Sequence, residues 1–316
     1  MALCLIQCVF IKFMKRRLPI GMLLLVSWSV FSNIETDSIL AKKWTQEKTL
    51  GLILTQTAFV NWNAGGDNSI AGIASINLKF NYKKDRISWN NTIRGRYGLN
   101  KEGAEQVRKT EDVFEITTNF SYQHREKSQW YNSARFNFRT QFANGYKYPD
   151  RAFSISTFFA PAYLFLGVGT QFTSSKKTYK LYLSPLTNKT TLVFNQRLAN
   201  SGAFGVEKAV YKDGVLVEEG ANAKIEFGTL LTGEWQHEIM ENILMNNKLI
   251  LYSDYLNKYG NIDFDWELTF DLKVNKHIKA NIGTHLLYDD DVKDKDSERP
   301  KIQLKQLLGV GLSYVF

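Results

Sequence analysis

Cysteine is nearly absent: the 316-residue chain has two, Cys4 and Cys8, both close to its start. The rest of the sequence has no means of forming a disulfide, so its stability must come from burial and backbone hydrogen bonding. Proline is scarce as well, at 5 residues, and long stretches are free to run as unbroken elements. Beyond Phe31 no apolar run approaches the roughly 20 residues that a helix needs to cross a bilayer, which excludes a polytopic helical membrane protein. Charge of one sign is also in short supply. Lys and Arg number 40 against 31 Asp and Glu, and removing residues 1–32, with Lys12, Lys15, Arg16 and Arg17 and no acid, lowers the net charge from +9 to +5. That balance is too mild to argue for nucleic acid as a partner.

What the sequence does have begins with a leader. Met14-Lys15-Arg16-Arg17 precedes an apolar stretch over residues 18–31, and Ser32, Asn33, Glu35 and Asp37 follow it. A charged start, a short apolar middle and a small residue before a polar chain predict a secretory signal peptide over residues 1–32, with Met14 as the better start. The competing reading is a retained helical anchor. Residues 33–48 are then a periplasmic N-terminal segment.

The second positive signal is a two-residue period. In residues 308–316 the even positions are Leu308, Val310, Leu312, Tyr314 and Phe316, and the odd ones are mostly Gly and Ser. Ile262, Phe264, Trp266, Leu268, Phe270, Leu272 and Val274 alternate with Asp263, Asp265, Glu267, Thr269, Asp271 and Lys273. Ala134, Phe136 and Phe138 alternate with Arg135, Asn137 and Arg139 in the same way. Such alternation marks strands with one apolar face. These runs last roughly ten residues or more, the length a tilted strand needs to cross a bilayer, whereas strands of soluble sandwiches average about 5–6. Aromatic residues such as Trp89, Tyr122, Trp235 and Tyr288 sit near the ends of the apolar faces, where interfacial girdles lie.

The pattern predicts an all-β, closed antiparallel transmembrane barrel over residues 49–316. It has about 12 strands, within a range of 10–14: 49–61, 70–82, 86–99, 111–124, 129–143, 157–172, 177–194, 222–236, 243–256, 261–274, 277–289 and 303–316. Residues 187–198 and 240–248 are the ambiguous stretches. Tight turns alternate with longer segments, which puts both termini and the tight turns on the periplasmic side of the outer membrane of a Gram-negative bacterium.

Six stretches then carry a family resemblance. They are residues 59–69 (Phe59 to Ser69), 108–112 (Arg108-Lys109-Thr110-Glu111-Asp112), 140–149 (Thr140 to Pro149), 160–163 (Ala160-Pro161-Ala162-Tyr163), 202–206 (Gly202-Ala203-Phe204-Gly205-Val206) and 288–291 (Tyr288-Asp289-Asp290-Asp291). In that order they resemble an uncharacterised outer-membrane barrel family of Bacteroidota, filed as domain-of-unknown-function family 3078. The resemblance implies location and fold; it implies no catalytic residues.

By parity, the lumen holds Lys79, Arg94, Arg96, Arg135 and Arg139 from early strands and Glu226, Glu234, Asp263, Asp265, Glu267 and Asp271 from late ones, with His285 also facing inward. The two charged sets are expected on roughly opposite walls. They admit two readings: a field that orients dipolar solutes, or a paired, hydrogen-bonded plug. Asp289, Asp290 and Asp291 are weak candidates for a divalent cation, at a spacing that fits no calcium loop. His285 beside Asp265 or Ser253 is the one arrangement with the makings of a catalytic base, and no cofactor is expected. The functional expectation is a narrow channel or transporter, or an envelope-assembly component. The alternatives are an enzyme acting on lipid or lipopolysaccharide, and a non-conducting scaffold. Expected partners are outer-membrane lipid, lipopolysaccharide and, during biogenesis, the barrel-assembly machinery.

Overall fold

The alternating segments fold into strands that wrap once around and close. The structure, a computed structural model, describes residues 43–58, 67–176, 178–257, 259–275, 277–292 and 300–315. The expected signal peptide, the stretch 59–66 and the terminal Phe316 lie outside the described residues. The strands are β1 (Trp44–Thr57), β2 (Ser69–Lys84), β3 (Ile87–Glu102), β4 (Arg108–Gln123), β5 (Trp130–Thr140), β6 (Gly145–Tyr146), β7 (Ser154–Ser156), β8 (Ala162–Thr173), β9 (Tyr179–Leu192), β10 (Val210–Lys212), β11 (Val215–Glu218), β12 (Ala223–Met240), β13 (Ile243–Asp254), β14 (Asp263–Lys273), β15 (Ile278–Tyr288) and β16 (Gln303–Val315). Twelve of them form one closed antiparallel barrel in the order β1-β2-β3-β4-β5-β8-β9-β12-β13-β14-β15-β16, and β16 pairs back onto β1. Two small hairpins, β6–β7 and β10–β11, belong to loops. β1 begins at Trp44, so residues 44–48, expected in the N-terminal segment, are strand: Trp44 pairs with Tyr82 and Glu47 with Lys79.

Most of the large apolar side chains on the barrel strands point outward. Leu50, Leu52 and Leu54 of β1, Leu166 and Val168 of β8, and Leu304, Leu308, Val310 and Leu312 of β16 are all exposed on the outside, while their neighbours in sequence face in. A soluble protein would hide these side chains; a transmembrane barrel presents them to lipid. The shortest barrel strands have 11 residues. At roughly 3.3 Å per residue and a tilt of about 40°, they rise roughly 28 Å, close to the ~25 Å apolar band of such barrels.

Aromatic rings gather at both ends of this band. Trp44 lies 5.2 Å from Tyr82 and 5.8 Å from Trp89 between ring centroids, and the pairs Trp130–Phe172 and Tyr179–Trp235 continue the belt around the rim of short turns. The opposite rim carries Phe158, Phe159 and Phe194 together, and Phe264 against Tyr288.

The long connections fold over that second rim. Asp112 of β4 accepts hydrogen bonds from the Phe142 and Ala143 amides at 2.8 and 2.9 Å and from Lys109 Nζ at 2.7 Å, which pins the β5–β8 loop to the wall. In the β9–β12 loop, Asn195 caps the short helix α1 (Gln196–Asn200) by accepting from the Leu198 amide. Ala160, Val193, Leu198, Ala199 and Val206 bury one another there, the main apolar core on this rim. Gly205 (φ +82°) lies against Asp291, where a Cβ would come within 3.1 Å of the aspartate Cβ, so this cap also covers the start of the β15–β16 loop.

Candidate functional site

The lumen is lined by the side chains that face away from lipid, and most of them are bonded to one another. Lys79 pairs with Glu47 at 2.7 Å, Arg94 with Glu115 at 3.5 Å and Arg96 with Glu111 at 3.9 Å, so each of these cations has an acid on an adjacent strand. The early and late charges are therefore not separated into a cationic and an anionic wall. Other ion pairs cross the interior. Arg139 Nη1 on β5 lies 3.7 Å from Asp265 Oδ2 on β14, and Lys305 on β16 pairs with Glu111 on β4. Asp265 also lies 2.7 Å from His285 Nε2. Glu234 takes Lys180 at 3.5 Å, Glu267 sits in register between Lys248 and His285, and Asp271 accepts from Asn246 Nδ2 at 2.9 Å and from Asn281. Arg135 lies over the Tyr182 ring, 4.4 Å from its centroid.

Burial divides the lumen in two. Lys305, Arg139 and Arg94 keep 46%, 40% and 39% of their side chains exposed, so water reaches the lumen around them. Around Lys189 the interior is dry. Lys189 of β9, 6% exposed, lies 2.8 Å from Asp263, 3.3 Å from Asp289 and 3.6 Å from Glu226. Lys224 pairs with Glu226 at 3.5 Å and with Asp291. Next to this ionic layer Tyr182, Leu230 and Tyr252 form a buried cluster with Phe165 and Ile250, and Lys189 Nζ sits 5.1 Å from the Tyr252 ring centroid. A cation over an aromatic face is stabilised by the ring quadrupole.

The carboxylates of Asp263, Asp289 and Asp290 come within 4.8 Å of one another, close enough to share a cation. The Lys189 ammonium stands among them, and Asp290 accepts from Asn261 Nδ2 at 2.8 Å. The three acids singled out in the sequence thus meet lysines and an asparagine from three other parts of the barrel. His285 and Asp265 place a base beside an orienting carboxylate, and among the described residues no hydroxyl is hydrogen-bonded to the ring.

Several lumenal residues escaped the reading of the sequence. Glu111 and Glu115 sit on the inward parity of a strand whose alternation is plain, and counting along it would have found them. Lys189 was hidden by a bulge. Tyr182 and Ser184 face inward at even numbers, whereas Thr187, Lys189 and Thr191 face inward at odd ones, because the β8–β9 and β9–β12 registers both shift around Pro185. A proline inside a strand was the available signal.

The family described as "Protein of unknown function (DUF3078)" matches residues 54–146. No curated protein matches the chain. Among solved structures, an outer membrane channel from Pseudomonas putida F1 aligns at a TM-score of 0.41 and 10% identity, covering 86% of this chain and 95% of that one. The translocator domain of the autotransporter NalP from Neisseria meningitidis aligns at 0.37 and 10% identity, covering 87% and 89%. The outer membrane channel DcaP of Acinetobacter baumannii aligns at 0.33 and 8% identity, covering 86% and 97%.

Proposed function

We propose that the protein is an integral outer-membrane barrel of a Gram-negative bacterium and passes a small polar solute through a narrow, charge-lined lumen. In this reading the short turns face the periplasm and the long loops face outward. Outer-membrane lipid and lipopolysaccharide surround the barrel, and the barrel-assembly machinery inserts it. The observation that carries the reading is the contrast within the lumen between water-accessible charges such as Arg139 and Lys305 and the buried layer around Lys189. Lys189 holds Asp289 and Asp263 together, so it ties the first residue after β15 to β9 and β14 at the long-loop rim.

The test is conductance in planar bilayers, with heat-modifiability on gels as the check of folding. Wild-type protein should give small, ion-selective steps. Lys189→Met leaves three carboxylates without their shared cation, so the loop should be repelled and the steps should grow. Silence from both proteins in folded form would sink the channel reading. A scaffold reading has one observation of its own: the β10–β11 hairpin exposes Val210, Tyr211, Val215, Leu216 and Val217 together. A folded, non-conducting barrel that loses a bound partner when this hairpin is removed would favour it.

A further inference from the structure

The closing seam of the barrel differs from every other joint. Between β1 and β16 the ladder covers five residue pairs, from Thr49↔Val315 to Ile53↔Gly311. On the other side of the same strand, β1 pairs with β2 from Trp44↔Tyr82 to Thr57↔Ser69. Continuing the β1–β16 register would bring Leu54 to Val310 and Thr55 to Gly309, yet among the described residues the pairing stops before them. The backbones are crowded where it stops. A Cβ at Gly309 would lie 2.7 Å from Ile53 Cγ2, and one at Gly311 would lie 2.6 Å from the Leu52 carbonyl oxygen. Ile53 therefore lies over a bare stretch of β16 and covers the seam from the lumenal side.

On the lipid side of the same seam lies a groove of about 420 Å³ lined by Leu50, Gly51, Leu52, His277, Leu312 and Tyr314. Apart from His277 and the Tyr314 hydroxyl its lining side chains are hydrocarbon. His277 belongs to the turn between β14 and β15, on the short-turn rim and level with the aromatic belt. The groove thus runs from the interface, where lipid headgroups sit, into the apolar band.

We propose that this groove is a lateral binding site for one acyl chain of a phospholipid from the leaflet on the short-turn side. The chain lies over Gly51 between the Leu50–Leu52 and Leu312–Tyr314 side chains, its headgroup is beside His277, and its far end reaches the unpaired stretch of β1 and β16. An amphipathic molecule at that point touches the stretch where, among the described residues, the β1–β16 ladder has ended. The site rests on the reading of the barrel as membrane-spanning and deepens it.

The test uses full-length protein reconstituted in vesicles of phosphatidylethanolamine and phosphatidylglycerol, doped with a phosphatidylethanolamine that carries a diazirine within one acyl chain. After irradiation, labelled peptides are mapped by mass spectrometry. Labelling of the β1 and β16 peptides around Leu52 and Leu312 should exceed labelling around Leu166 and Val168 on the far wall by several-fold. Leu52→Trp and, as a second variant, Leu312→Trp fill the groove and should remove the excess without changing the label at β8. Equal labelling of seam and far wall in the wild type would overturn the site while leaving the membrane reading intact. No labelling on any outward strand would overturn both.

Discussion

Phe136 and Asn137 are neighbours in β5 and face different media. Phe136 points to lipid between Thr118 and Leu166 in the register, whereas Asn137 donates to Glu115 Oε1 at 2.9 Å and to Thr117 Oγ1 at 2.8 Å inside the barrel. Phe136→Lys puts an ammonium on the lipid face near the middle of the band, at a cost of roughly 2–4 kcal/mol. Asn137→Lys puts the same group beside Glu115. We expect the first variant to lose its heat-modifiable form at a markedly lower temperature than the wild type and the second to stay close to it; equal transitions would refute the outward and inward assignments. Lys189 makes the complementary case for buried charge. Removing one partner of a buried ion pair typically costs about 3–5 kcal/mol because the other charge is stranded, so Lys189→Met should lower the thermal transition as well as open the mouth. Parity alone was enough to mark Arg139, Asp265 and His285 as inward. It could not say that Arg139 reaches Asp265 across the interior, since that contact depends on barrel width and closure, which no local pattern encodes.

Secondary structure was legible to within a few residues at this protein's strands because alternation is a local property with long runs to average over. β14 and β15 show why: an unbroken exchange of apolar and polar residues leaves one register that keeps carboxylates out of lipid. β9 shows the limit. Its bulge at Pro185 turns Thr187, Lys189 and Thr191 back towards the lumen, whereas an unbroken period would have placed Lys189 in lipid. The loops were legible only as lengths. Their packing on the long-loop rim rests on few contacts distant in sequence, such as Gln196 Nε2 donating to the Gly220 carbonyl at 3.0 Å, and carries no periodic signature. Among the described residues the β10–β11 hairpin pairs only with itself. Replacing residues 210–218 with a short Gly-Ser linker should therefore leave the thermal transition of the barrel unchanged, as read by gel mobility after graded heating; a large drop would mean that the hairpin braces the wall.

Closure is a property of the whole molecule. The β1–β16 ladder uses Ser313, Tyr314 and Val315 for three of its five pairs. Truncation after Leu312 leaves too little ladder to close the ring and exposes backbone polar groups to hydrocarbon, at several kcal/mol each. We expect such a protein to yield no protease-resistant, heat-modifiable species, whereas removing residues 293–295 from the β15–β16 loop should be tolerated. Recovery of the truncated barrel at normal yield would contradict the closing role of β16.

The same joint sets an order of events. Thr49 and Val315 stand at opposite ends of the barrel sequence, yet they are partners. A contact so distant along the chain forms late and slowly, because loop-closure entropy must be spent before the contact returns any stabilisation. Until β16 arrives, β1 has a free edge, and any strand of another chain is a competitor for it. Production at high chain concentration should therefore favour strand exchange between molecules over closure within one, and the first strand made must wait for the last.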